Sequence, residues 1–388
     1  RLLADVLRDY RDPDAVSPFA SRPALRYRDF IAWLGTRDRA ADERFWTDRL
    51  ARLDAPTLIA ERVADRADAE MVTWRATIDA DATARIAQTA RALKLTVNTL
   101  VQGAWALALQ RMTHQPAVAF GATVAGRPDA LADVDTVLGL FINTLPVITA
   151  PAPQQRAADW LQALQRENAA AAEHAHTPLA DIQRWARGAG GALFDTLVVF
   201  ENYPVDETVR DADPRALALS DVRSIEATDF ALTLVIESGT ELTIDYGFDT
   251  ARVDAHQVET WHRAFACALD ALARTPDALL GTLSIADDAA RAALARAQDT
   301  ARTWPHAQRQ PLHLQFAAAA QATPDAIALE YADADGAVQR ATYRELDLNT
   351  TRVAAALRRR GVRPDTPVAL CVERSFDMVT ALVGVLKA

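Results

Sequence analysis

An α/β fold with helices covering a sheet is what this sequence predicts, on three observations. Short apolar runs of strand length alternate with longer helical stripes through about the first 280 residues. One of those runs alternates apolar and polar residues with period two. Half of the 388 residues are hydrophobic, enough for large cores.

The elements follow in order. Leu2, Leu3, Val6, Leu7 and Tyr10 give an opening helical face with no capping residue before it. Leu100, Ala104, Ala108 and Met112 form one stripe, and Val101, Trp105 and Leu109 a second, so this helix is apolar nearly all round and buried, with Thr96 as its cap. Residues 117–124 read as a central strand ending near Gly126, and 192–200 as a second buried strand. Residues 230–237 and 241–249 predict a hairpin bending at Ser238, Gly239 and Thr240. In its second arm Leu242, Ile244, Tyr246 and Phe248 make the core face. Val258, Trp261, Phe265, Leu269 and Leu272 then mark an amphipathic helix, with His262 on its apolar side.

Beyond about residue 284 the strand signals stop, and Ala, Arg, Asp and Gln dominate up to Pro311. Residues 284–310 read as a linker between a first domain, 1–283, and a second, 311–388. The second domain predicts a helix over about 314–321, a strand near 327–331 and a turn at 333–336. A long helix over 343–360 stops at Gly361, and a buried strand at 368–372 leads to a helix capped by Ser375. Helical patterns stand at both ends of the chain, and the expectation is a fragment of a longer protein.

Composition excludes some roles. A net charge of −10 argues against nucleic acid as the main partner, since phosphates need a basic stripe. No apolar run approaches the roughly 20 residues of a membrane span, and no leader-like start is present. Cys267 and Cys371 lie far apart in apolar sequence and read as reduced, buried residues of a cytoplasmic protein.

Several segments carry a family resemblance. They are YRDFIAW (27–33), FWTDRL (45–50), VAGRP (124–128), GLFINTLP (139–146), FDTLVVFENYP (194–204) and TDFALTLVI (228–236). This ordered set resembles condensation domains of nonribosomal peptide synthetases. After the linker, ATYRELDLNT (341–350) and VGVLKA (383–388) resemble the start of an adenylation domain. The resemblance implies a chloramphenicol-acetyltransferase-like sandwich lobe, mainly the C-terminal lobe of a condensation domain. The beginning of an adenylate-forming-enzyme α/β domain would follow. It implies amide-bond formation between two carrier-bound thioesters, delivered on phosphopantetheine arms by upstream and downstream carrier domains. ATP and Mg enter only with a complete adenylation domain. The remaining partners implied are the N-terminal condensation lobe and the rest of the adenylation domain. The family's paired-histidine motif, HHxxxDG, occurs nowhere among the seven histidines, so the chain alone is expected to be inactive. An epimerisation domain of the same fold, or a non-catalytic platform for carrier domains, are the competing readings.

The candidate substrate-channel residues are Asn143, Arg127, Asp195, Glu201, Asn202 and Thr228. Asn143 interrupts an apolar run, where its amide either bonds local backbone or meets a pantetheine or thioester group. Arg127 stands over a cleft entrance or in a solvated turn. Asp195, Glu201 and Asn202 bracket one strand, as acid–base groups or as strand-end anchors. Thr228 floors the channel or serves a cap or turn. His174 and His176 suggest a metal pair, but no third ligand accompanies them at suitable spacing.

Overall fold

The computed structural model describes residue 10 and residues 25–60, 70–186, 191–201, 228–301, 310–332 and 337–388. The expected opening helix, Asn202 and the turn at 333–336 fall largely or wholly outside these residues. The chain divides into two compact units, Arg1–Ala295 and Arg296–Ala388.

Unit 1 begins with helices α1 (Tyr27–Leu34) and α2 (Arg39–Leu50), followed by β1 (Met71–Ile78), α3 (Ala80–Ala92), α4 (Val97–Thr113) and β2 (Val118–Val124). Next come β3 (Asn143–Thr149), α5 (Ala157–Ala172), α6 (Leu179–Trp185), β4 (Thr196–Glu201), β5 (Leu232–Ser238), β6 (Leu242–Asp249) and α7 (Ala255–Arg274). The six strands form one mixed sheet in the order β1-β6-β5-β4-β2-β3. β4 runs parallel to both β2 and β5, while β2–β3, β5–β6 and β6–β1 are antiparallel.

The expected hairpin is β5–β6, with Leu234 opposite Tyr246 and Ile236 opposite Ile244. Leu242, Ile244, Tyr246 and Phe248 are all buried, as their alternation required. They pack under α4 and α7 together with Trp105, Phe265 and Leu269. α4 is buried from Thr99 to Leu109, and Thr96 Oγ1 caps it by accepting from the amide of Thr99. His114 ends this helix in the left-handed conformation, φ 56°. β2 is buried on both faces: Phe120 joins this large core, and Ala119 joins a second cluster with Trp46, Leu50, Ile182 and Phe194. The other face of β1, β6, β5 and β4 carries Thr73, Asp245, Gly247, Thr233 and Glu237 around an open depression of about 410 Å³.

The expected linker holds a helix, and three other expectations need correction. This helix, α8 (Asp288–Gln298), has no buried residue. Six of its eleven residues are alanine, the strongest helix former, and Asp287 accepts from the amide of Ala290 at its start. Residues 368–372 form no strand, and Leu370, Cys371 and Val372 are exposed, because no neighbouring strand among the described residues pairs with their backbone. The two cysteines are therefore not buried: Cys371 is exposed and Cys267 half-buried. Ser375 precedes the last helix but makes no side-chain capping bond, since its hydroxyl donates to the carbonyl of Glu373 instead.

Unit 2 contains α9 (Leu312–Ala322), the antiparallel pair β7 (Ile327–Ala332) and β8 (Val338–Thr342), then α10 (Tyr343–Arg359) and α11 (Phe376–Lys387). Thr342 and Glu345 form a capping box at the start of α10. Gly361, φ +91°, ends that helix: the amide of Val362 reaches the carbonyl of Leu357 across it. Among the described residues no helix is long and apolar enough to cross a membrane.

Candidate functional site

Two of the signature segments, 27–33 and 124–128, contribute to one cleft of unit 1 with a volume of about 660 Å³. Three pieces of chain wall it: Trp33 and Arg37 at the end of α1, residues 124–130 after β2, and Ala169 to His176 at the end of α5. A second cavity of about 580 Å³ is lined by Asn143, Asp195, Phe194, Phe230 and Arg252.

Gly126 makes the turn out of β2 with φ +62°. A Cβ there would lie 1.9 Å from the carbonyl oxygen of Phe141, so only glycine fits. The turn aims Arg127 back into the protein. One guanidinium nitrogen donates to the carbonyls of Val134 and Val137, and the group lies 4.2 Å over the Phe141 ring. Arg127 therefore lines the cleft while tying down the 134–137 turn, instead of standing solvated.

Asn143 opens β3, opposite Val124. Its Nδ2 donates to the carbonyls of Ala175 and Thr177, at 2.8 and 2.7 Å, and its Oδ1 accepts from the amide of Thr144. Both donors of the amide are engaged by the 173–177 loop. In this arrangement Asn143 braces the cleft wall and has no N–H left for a ligand.

Asp195 is 3 % exposed and receives the amides of Ile59 and Ala60, at about 3 Å each. Burial raises its pKa, against the pull of those N–H bonds and of Arg252. It anchors the 57–60 segment to the start of β4. Glu201 lies at the other end of β4, in register with Glu237, so the two carboxylates of the strand do not meet. Glu201 and Thr228 instead border the open sheet depression, where the Thr228 hydroxyl bonds that of Thr233 at 2.6 Å. Five of the six candidates are thus distributed around three hollows, and the sixth, Asn202, is outside the described residues.

Asp42 lies outside the segments that carry the resemblance. It is 6 % exposed, and its two oxygens bond His174 Nδ1 at 2.6 Å and His176 Nε2 at 3.0 Å. The two histidines thus share a carboxylate, and among the described residues no group of three or more ligand-type side chains is arranged to hold a metal. A legible signal existed: Asp42, Trp46 and Leu50 recur at i, i+4 and i+8 on the buried stripe of α2, and an acid on such a stripe must find a partner. His262 is half-buried on α7, with Nδ1 3.0 Å from the Tyr246 hydroxyl. Burial lowers its pKa and holds Tyr246 well above its ordinary value, so the phenol donates to a neutral ring.

Residues 4–295 match the family model described as condensation domain, and residues 316–388 match that of the AMP-binding enzymes. Over 379 residues the chain is 36% identical to a linear gramicidin synthase of Brevibacillus parabrevis, covering 96% of this chain and 5% of that protein. Surfactin synthase subunit 3 of Bacillus subtilis (strain 168) is 29% identical over 396 residues, which is 30% of its length. Among solved structures, the nonribosomal peptide synthetase FmoA3 in its AMPPNP-bound form aligns with 99% of this chain and 40% of its own, at TM-score 0.66 and 26% identity. The first condensation domain of the calcium-dependent antibiotic synthetase aligns with 73% of this chain at TM-score 0.56 and 18% identity, a likeness of fold.

Proposed function

Because the chain belongs to the condensation-domain family of nonribosomal peptide synthetases, with the chloramphenicol-acetyltransferase-like fold of that family, we propose that unit 1 serves amide-bond formation between two carrier-bound substrates. The observation that carries this is the order of matches, condensation over 4–295 and AMP-binding over 316–388, in a chain that aligns end to end with peptide synthetases.

The reaction joins an upstream acyl or peptidyl thioester to the amine of a downstream aminoacyl thioester. The amine nitrogen attacks the donor carbonyl, a C–N bond forms, the C–S bond breaks, and the upstream thiol leaves with a proton. Holding both thioesters in attack geometry and excluding water supplies much of the rate. HHxxxDG does not occur in the 388 residues, so the part assigned to this chain is the wall of the channel and its bracing, and the chain by itself is inactive in this reading. Asn143, Arg127 and Asp195 hold backbone segments in that role, and the carriers' phosphopantetheine arms bring the substrates. The setting is the cytoplasm.

ATP and Mg belong to a complete adenylation domain. Unit 2 does not fit them: Gly336, Gly361 and Gly384 are scattered rather than gathered in a phosphate loop, and no described group of side chains is arranged for a metal. No step is routed through them.

The test is single-turnover condensation by the complete module containing this chain, with loaded carrier domains on both sides. Formation of the amide supports the reading, and a module that epimerises its carrier-bound residue without extending it contradicts the reading.

A further inference from the structure

Residue 176 is held more firmly than a surface histidine needs to be. Asn143 grips the carbonyls on either side of it, those of Ala175 and Thr177. Asp42 holds its ring through Nε2, and Trp33 packs edge-on against that ring, centroids 5.6 Å apart at 80°. The imidazole is only 12% exposed, yet His176 lines the cleft.

The tautomer follows from the partner. A carboxylate only accepts hydrogen bonds, so each imidazole on Asp42 must donate: His174 through Nδ1 and His176 through Nε2. One buried carboxylate thereby fixes its two histidines in opposite tautomers. Whenever the His176 ring is neutral its lone pair is on Nδ1, which has no bonding partner among the described residues. His174 has a different setting, stacked at 3.8 Å on Phe45.

We propose that Asp42 is a positioning residue that locks His176 in its Nε2–H tautomer and leaves Nδ1 as a fixed acceptor on the cleft wall, for an amine or amide N–H of a ligand lying against Trp33. Fixing backbone and ring before the ligand arrives is what a preorganised contact requires. The tautomer lock does not depend on the condensation reading. The ligand does: in that reading it is part of a carrier-bound chain.

Two measurements test it. Long-range proton–nitrogen NMR on the full 388-residue chain reads the ring nitrogens directly. The expected spectrum of the neutral rings has His176 Nδ1 unprotonated and His174 Nε2 unprotonated, and Asp42→Asn abolishes this opposition. A wild-type spectrum with both rings in one tautomer, or an Asp42→Asn spectrum unchanged from wild type, overturns the proposal. If Asp42→Asn fails to fold, the wild-type spectrum decides alone. In the complete module, His176→Asn places an oxygen near the Nδ1 position and His176→Gln near Nε2. The Asn variant is expected to condense within a few-fold of wild type, and the Gln variant about tenfold more slowly, the loss of one hydrogen bond. Equal rates for the two overturn the ligand contact. A module that never condenses refutes the condensation reading and leaves the tautomer to the spectrum.

Discussion

The core under α4 and α7 and the wall of the cleft are built by different physics, although they share the same sheet. In the core, Trp105, Tyr246, Phe265 and Leu269 are almost wholly excluded from water and hold one another by area and fit. Around the cleft and the second cavity, Asp42, Arg127, Asn143 and Asp195 are partly or wholly buried polar groups, and three of the four bind backbone atoms of other segments. Apolar packing tolerates small shifts. Directional bonds to backbone fix where a loop sits, which a binding wall requires. Four substitutions probe this contrast.

Trp105→Ala, in the core, has the greatest consequence. It removes a fully buried indole and its bond to the Thr196 hydroxyl, and should cost about 3–5 kcal/mol in denaturant unfolding of the chain. A loss under about 1 kcal/mol would show that this core is not tightly packed. Gly126→Ala forces a Cβ against the Phe141 carbonyl in a left-handed turn, at about 1–3 kcal/mol. Its signature is local: amide hydrogen exchange should rise over 124–141 and stay unchanged in α4.

Asn143→Ala leaves the carbonyls of Ala175 and Thr177 without their donor and should cost about 1–2 kcal/mol. Faster amide exchange over 173–177 is the readout, and an unaffected loop would refute the bracing role. The mildest change is in pH dependence. Because burial raises the Asp195 pKa in the folded state, the native protein holds this proton more tightly than the unfolded chain. Its contribution to stability is full below the ordinary value of 3.8 and is lost as pH rises through the folded value. Asp195→Asn should therefore flatten the slope of stability against pH just above 3.8, and an unchanged slope would assign it elsewhere.

The same contrast explains what the sequence disclosed. Periodicity reports burial, so the alternation from Leu242 to Phe248 and the double stripe around Trp105 placed both strand and helix correctly. It fails where neighbours decide. Residues 368–372 look like a buried strand but have no described strand to pair with, and MVTWRATI becomes edge strand β1 only because β6 lies beside it. At the site, Asn143 was legible as a polar residue in an apolar run, but its two carbonyl partners lie more than 30 residues away. The histidines at 174 and 176 stand out as a pair. Their true partner, Asp42, is 132 residues distant from the first, a separation no local pattern encodes.

In this reading Asn143 works through the 173–177 loop and not by touching substrate. A double-mutant cycle on single-turnover condensation by the complete module, using Asn143→Ala and His176→Ala, decides the point. If the asparagine acts by placing the histidine, the double variant is no slower than His176→Ala alone. Independent, multiplicative losses from the two substitutions would refute that role.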